Sequence, residues 1–368
     1  MRIGIIAPPW VTVPPTGYGG TEVVIDNLAR GLQELGHEIR LFTLGNSTCP
    51  VTRSFLYRTP AQVMGTSVEE AAHVLAAYEE FADLDLIHDH TVLGPLLARY
   101  ASHRLPPIAC THHGVFTNDN IAIFTAIARQ AHVIAISHDQ ANRAGPVPIA
   151  AVIHHGIDTS AYRSGPGDGE YLAFVGRMSP DKGCAAAVRV AHASGLPLHL
   201  AAKIREPAEH EYFDGEVRPL LGRDDEFAEE LPTQARVEMV GHARALLNPI
   251  GWPEPFGLVM AEALACGTPV LTFRCGAAAE IIDDGRTGFL CHDEADMVMA
   301  VGRTGELDRA VCRATAEKRF SLRRMAHDHD RLYERILQRA QPGTRSDFRR
   351  LPNRRHTRID ISSAGGEL

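Results

Sequence analysis

Two carboxylates, Glu254 and Glu262, bracket the run Pro255-Phe256-Gly257-Leu258. Pro255 suits a helix start. Gly267, followed by Pro269, ends the helical run that opens near Gly257. A helix opening here gathers free backbone N–H groups near Phe256, Gly257 and Leu258, which makes a site for an anion such as a diphosphate. Gly257 leaves room for close approach. Glu254, in the preceding loop, and Glu262, a little over one turn into the helix, would then reach hydroxyls at the two ends of a sugar nucleotide. The spacing by itself fits an ordinary acid-rich helix start equally well.

Three further groups bear on the same chemistry. Arg177 and Lys182 follow a candidate strand and flank a turn, so both cations can reach a diphosphate at the carboxyl edge of a sheet. Taken alone, two basic loop residues are usually just solvated. The run Gly17-Tyr18-Gly19-Gly20-Thr21-Glu22 puts glycines between the first strand and the first helix, where a backbone can approach substrate. It is not G-x-G-x-x-G, and a dinucleotide site would prefer an acidic residue at the end of the second strand, where this sequence has Thr43. His88-Asp89-His90 and His112-His113 follow predicted strands at the edge where α/β sites form. A histidine in such a place is more often structural. A metal site built from the four is the weaker reading, since no cysteine lies near them.

These groups need rigid elements to hold them. Short apolar β-branched runs alternate with longer helical ones, the pattern of an α/β fold with parallel sheets. Strands are expected at 2–7, 37–42, 84–88, 108–111, 133–137 and 151–155, with a first helix over 21–35. The run Ser164-Gly165-Pro166-Gly167-Asp168-Gly169 has turn formers and no apolar period, and marks a domain boundary. The pattern then restarts, with strands at 171–175, 198–202, 226–228, 245–249 and 269–273 and helices at 184–194, 233–242 and 257–266. Residues 1–165 therefore form one domain and 170–320 a second of the same architecture. A final amphipathic helix spans 321–339. The tail, 341–368, has little periodicity and reads as disordered, or as a basic arm for an anionic lipid or other partner. The chain has 368 residues, enough for two domains, and its net charge of −8 gives no nucleic-acid footprint. The seven cysteines are scattered with no close pair, so disulfide and zinc frameworks are disfavoured and a reduced, cytoplasmic compartment fits best. The N-terminal apolar run is too short for a signal peptide, and no stretch reaches membrane-spanning length.

The string EPFGLVMAEALACGTPV resembles the Glu, seven residues, Glu motif of the family-4-like retaining glycosyltransferases of the GT-B fold, the glycosyltransferases group 1. The block Phe174-Val175-Gly176-Arg177-Met178-Ser179-Pro180-Asp181-Lys182-Gly183 looks like the donor-phosphate segment of that family, and Thr111-His112-His113-Gly114 like its T-x-H-G context. His155-Gly156-Ile157-Asp158 resembles the NGID that closes the first domain, with His155 in place of Asn, and reads as a turn. Where the family has Gly after the strand matched by Glu226-Phe227-Ala228, this sequence has Glu229, which puts the base preference in doubt. The resemblance covers roughly residues 1–340.

The resemblance implies two Rossmann-like domains facing across a cleft, with the final helix crossing back to the first. It implies a metal-independent transfer of a hexose-type sugar from a nucleoside-diphosphate-sugar, a co-substrate rather than a bound cofactor, with retention of anomeric configuration. Arg177, Lys182, Phe256, Gly257 and Leu258 would hold the diphosphate, Glu262 the ribose and Glu254 the sugar hydroxyls. Gly19 and Gly20 would line the cleft. His113 would lie near the transferred sugar, with His112 the alternative one residue off. The acceptor is unassigned: a saccharide, a lipid-linked or a small molecule, with peripheral membrane contact open. Another GT-B enzyme, such as an epimerase or phosphorylase, and a non-catalytic sugar-nucleotide-binding module stay open as alternatives.

Overall fold

The computed structural model describes residues 1–340 apart from Tyr18, residues 61–64 and Ser102, so the tail at 341–368 lies outside the described residues. The first half runs β1 (Arg2–Ile6), α1 (Gly20–Glu34), β2 (Glu38–Phe42), β3 (Thr52–Ser54), α2 (Ser67–Glu80), β4 (Leu86–Asp89), α3 (Gly94–Leu97), β5 (Ile108–Thr111), α4 (Asn118–Ile127), β6 (His132–Ala135), α5 (His138–Arg143) and β7 (Ile149–Val152). The second half runs β8 (Leu172–Arg177), α6 (Cys184–Ala193), β9 (Leu198–Lys203), α7 (Pro207–Tyr212), β10 (Glu226–Ala228), α8 (Thr233–His242), β11 (Leu246–Asn248), α9 (Leu258–Ala265), β12 (Val270–Phe273), α10 (Ala278–Ile281), β13 (Gly288–Cys291) and α11 (Glu294–Gly302), and ends in α12 (Arg309–Phe320) and α13 (Leu322–Ala340).

Each half builds one parallel sheet: seven strands in the order β3-β2-β1-β4-β5-β6-β7, and six in the order β10-β9-β8-β11-β12-β13. Strands such as β4 and β5 are buried at every position, polar His88, Asp89 and Thr111 included, because helices cover both faces. Four apolar clusters result, one on each face of each sheet. In both sheets the strand order reverses at the first strand, between β1 and β4 and between β8 and β11. Crevices open at the carboxyl ends of such strands, so the loops after β1, β8 and β11 are where a ligand meets the fold.

The chain crosses back at its end. The final helix, expected over 321–339, is α13 at Leu322–Ala340. Its Met325, Leu332, Tyr333 and Ile336 join the first-domain cluster with Val24, Leu28 and Leu32 of α1. The linker is pinned between the halves: the Ile157 N–H donates to the Phe320 carbonyl at 2.8 Å, and the Ile157 carbonyl accepts from the Leu322 N–H at 2.8 Å. Arg324 Nη2 donates to the His155 carbonyl at 2.7 Å. Across the seam, the Glu280 carboxylate of α10 accepts the free amides of His138 and Asp139 at the start of α5, both at 2.7 Å, and meets His154 Nε2 at 2.8 Å.

The structure adds elements that periodicity did not mark: strands β3 and β13, and helices α2, α3, α4, α5, α7, α10, α11 and α12. It also moves boundaries. β8 runs two residues beyond the expected 171–175 and so includes Arg177. The helix expected at 257–266 begins at Leu258, with Gly257 as its cap. Tyr333 ties α13 to the first sheet, its hydroxyl 2.6 Å from Nδ1 of the buried His88. Removing that hydroxyl in Tyr333→Phe leaves a buried nitrogen without its partner. The expected cost is about 1–3 kcal/mol, read as a thermal midpoint lower by several degrees. An unchanged midpoint would show that the hydrogen bond does not fasten the helix.

Candidate functional site

A cavity of about 330 Å³ lies between the domains. The loop after β1 and the start of α1 give it Gly17, Gly19 and Gly20; the loop after β11 and the start of α9 give it Glu254, Phe256, Gly257 and Leu258. Gly257 sits at φ 89°, ψ 68°, a left-handed conformation that turns the chain directly into α9. Leu258 and Val259, the first residues of α9, line the cavity, while the Met260 N–H already donates to the Gly257 carbonyl at 3.1 Å; the opening turn of a helix carries unpaired N–H groups and the positive end of its dipole. The start of α1 faces them: a Cβ added at Gly20 would stand 3.3 Å from Leu258 Cδ1. Phe256 is buried and anchors the turn between Met260 and the Phe320 cluster.

The acidic and basic side chains meet here. The Lys182 ammonium is bonded to the Glu254 carboxylate, and both side chains are only 15% exposed. The Trp252 indole N–H donates to the same carboxylate at 3.0 Å, and Lys182 Nζ stands 5.2 Å from the Trp252 ring centre. The backbone of Glu254 is equally fixed. Gly276, at φ 57°, approaches it so closely that a Cβ there would lie 2.4 Å from the Glu254 nitrogen and oxygen, and Ala277 N–H donates to the Glu254 carbonyl at 2.9 Å. Glu262, one turn inside α9, accepts from the Tyr162 hydroxyl at 2.7 Å and lies 4.0 Å from Arg236 Nη2. The two carboxylates thus face one cavity from the two ends of the same helix start.

The cations are placed differently from the sequence reading. Among the described residues, those on the cavity wall are Lys182 and Arg236. Arg177 is not on that wall. As the last residue of β8 its side chain leaves the sheet on the side where carboxylates capture it: Nη2 is 3.0 Å from Asp181 and Nε 3.8 Å from Glu209. Arg236 comes from α8, where no local motif announced it. Glu229 and Glu230 line a small adjoining cavity with Gly176, Lys203 and Arg236.

The adjacent histidines separate by strand parity. His112 faces the first-domain core, its ring 4.2 Å from that of Phe124, with Nε2 3.1 Å from the Val115 carbonyl. His113 faces the cavity, Nε2 2.8 Å from Nδ1 of His90. His155, read from sequence as a turn residue, also lines the cavity and stacks on His113 with centroids 5.1 Å apart. No group of three or more His, Cys, Asp or Glu placed to hold a metal ion occurs among the described residues.

With this geometry in place, known proteins give a consistent comparison. Residues 18–161 match the sequence profile described as Glycosyltransferase Family 4, and residues 163–303 that described as Glycosyl transferases group 1. The chain is similar to the D-inositol 3-phosphate glycosyltransferase of Mycolicibacterium smegmatis, at 28% identity in an alignment covering 94% of each chain. Among solved structures, it is similar to AviGT4, a glycosyltransferase involved in avilamycin A biosynthesis, at 25% identity and a TM-score of 0.68 over 92% of this chain and 98% of that one. The fold is shared with Anabaena HepE, solved in complex with UDP and glucose, at 18% identity and a TM-score of 0.72 over 91% and 99% of the two chains. No described helix is long and apolar enough to cross a membrane.

Burial sets how the protein responds to acid. Desolvation pushes His113 down to about 3 and His73, His112 and His329 to about 4, and holds His88, His90 and His155 well below the usual range. Each binds its proton more readily unfolded, near pH 6.5, so the stability it contributes is full above that value and is lost as pH falls toward the folded values. Glu22, raised to about 7, and Asp89, raised to about 6, act in the opposite direction. The histidines outweigh the two raised carboxyls, so unfolding near pH 5 takes up protons on balance. Thermal unfolding between pH 7 and 5 should show a steep fall in midpoint; a flat profile would mean that these histidines are hydrated and already titrating.

Proposed function

The chain belongs to the family-4-like group 1 glycosyltransferases, and from that premise we propose that it moves a hexose-type sugar from a nucleoside-diphosphate-sugar to an acceptor hydroxyl, with retention and without a metal ion. The observation that carries the reading is the left-handed start of α9 at Gly257, with Lys182 and Glu254 joined beside it. Its free amides and the Lys182 ammonium receive the diphosphate, whose negative charge grows as it departs. Arg236 supplies a second cation from the other side of the cavity, near Glu262. Arg177 reaches the diphosphate only by leaving Asp181.

Glu254 and Lys182 neutralise each other across the mouth of the cavity. Donor binding exchanges that contact: Lys182 turns to the diphosphate, and the Glu254 carboxylate, still held by the Trp252 N–H, takes up sugar hydroxyls. Glu262, oriented by Tyr162, takes the ribose. Gly19, Gly20 and His113 close the opposite wall. The bond from the anomeric carbon to the phosphate oxygen breaks, the acceptor oxygen bonds to that carbon on the same face, and the acceptor proton passes to the departing phosphate. Glu254 positions the sugar in this scheme and forms no covalent bond. The HepE complex with UDP and glucose supports a nucleotide-sugar donor.

Glu254→Gln should lower kcat by roughly 10²–10³-fold with an unchanged circular dichroism spectrum. Lys182→Ala should weaken nucleoside diphosphate binding by calorimetry. Near-normal turnover by the first, or unchanged affinity in the second, refutes the assigned roles.

A further inference from the structure

Behind the cavity wall the histidine rings form a column. His113 lines the cavity, and its Nε2 lies 2.8 Å from Nδ1 of His90. His90 rests on His88, with ring centres 4.1 Å apart. His88 is fixed at both nitrogens, Nδ1 at 2.6 Å from the Tyr333 hydroxyl and Nε2 at 2.7 Å from that of Thr111. Toward the cavity His113 stacks on His155, whose ring meets Phe256 edge-on at 5.2 Å. The remaining polar atom of the column's centre, Nε2 of His90, is buried and has no hydrogen-bond partner.

That orphan atom decides where the protons sit. Both rings are neutral, because burial pushes His113 down to about 3 and His90 well below the usual range. The contact between two neutral imidazoles contains one hydrogen, supplied by one ring or the other. If His113 supplies it, the hydrogen of His90 stands on Nε2 as a buried donor with nothing to receive it. If His90 supplies it from Nδ1, its Nε2 keeps only a bare lone pair. Orphaned buried N–H groups are rarer than under-satisfied acceptors, which favours the second arrangement. The hydrogen of His113 then stands on Nδ1, its other nitrogen.

We propose that His90 is a positioning residue that donates from Nδ1 to His113 Nε2 and so holds His113 as the neutral Nδ1–H tautomer, a hydrogen-bond donor to a hydroxyl oxygen of the bound sugar rather than a proton acceptor. The role toward sugar rests on the function proposed above. The tautomer does not, since it belongs to the unliganded protein and is measured without any substrate.

Nitrogen-15 correlation spectra of the labelled full chain at pH 7 test it, with the His113 ring identified by its loss in His113→Asn. The expected pattern is a protonated-type Nδ1 and a pyridine-type Nε2; the reverse pattern, or averaged shifts, overturns the proposal even if transfer activity is found. In His90→Asn the amide N–H replaces the Nδ1 donor, and near-wild-type kcat is expected. In His90→Phe the donor is lost. The His113 spectrum should then change, and kcat should fall about 10- to 100-fold, as when other outer-shell partners are removed, with donor KM unchanged. Equal losses in the two variants, or a His113 spectrum unmoved in His90→Phe, also overturn it. Failure of the wild-type enzyme to transfer sugar, with the expected spectrum intact, would instead remove the function and leave the tautomer standing.

Discussion

The site depends on one ion pair, Lys182 with Glu254. It joins the loop after β8 to the loop after β11, the two loops that flank the reversal in the second sheet. A carboxylate so little exposed needs its partner: stripped of Lys182, it would keep only the Trp252 N–H against the cost of leaving water. The fold answers that need with a rigid frame. Gly276 packs against the Glu254 backbone, and Gly257 turns the chain so sharply that the free amides of α9 open beside the pair. A site that already balances a cation against an anion is prepared to trade one anion for another, which is what binding a diphosphate requires.

The second constraint is the cleft itself. Neither domain closes it alone: the α9 start and Lys182 come from the second domain, while Gly19, Gly20 and His113 come from the first. The last helix, α13, returns to pack on α1, and Tyr333 reaches the histidine column from there. Glu280 caps α5 from across the seam. From α13 a series of packed rings, Tyr333, His88, His90 and His113, leads to the cavity wall.

The parts of this site that were legible in the sequence are local ones. Glu254, Gly257 and Glu262 lie within one turn and one short helix, so their spacing carries their geometry, and the parallel α/β pattern follows from apolar runs covered on both faces. What was not legible depends on partners far along the chain. Arg236 reaches the cavity only because α8 packs beside β8, and nothing within α8 signals it. Arg177 was read with Lys182 as one of a pair, yet two extra residues of strand put it on Asp181 and Glu209 instead. His112 and His113 could not be separated by motif, whereas the alternation of side chains past the end of β5 sends one to Phe124 and the other to the cavity. His155 looked like a turn residue because its ring partners, His113 and Phe256, are remote in sequence. The region at 47–82 hid α2 because its apolar positions are interrupted by His73 and Glu70, both buried and hydrogen-bonded.

In the reading proposed above, the start of α9 and Lys182 together form the pyrophosphate cradle. A crystal structure of the protein with a nucleoside diphosphate tests it most directly. Phosphate oxygens are expected within hydrogen-bond distance of Lys182 Nζ and of the Leu258 and Val259 amides, with the Lys182–Glu254 contact opened. A diphosphate held elsewhere, with that contact still closed and the start of α9 bare, would contradict it.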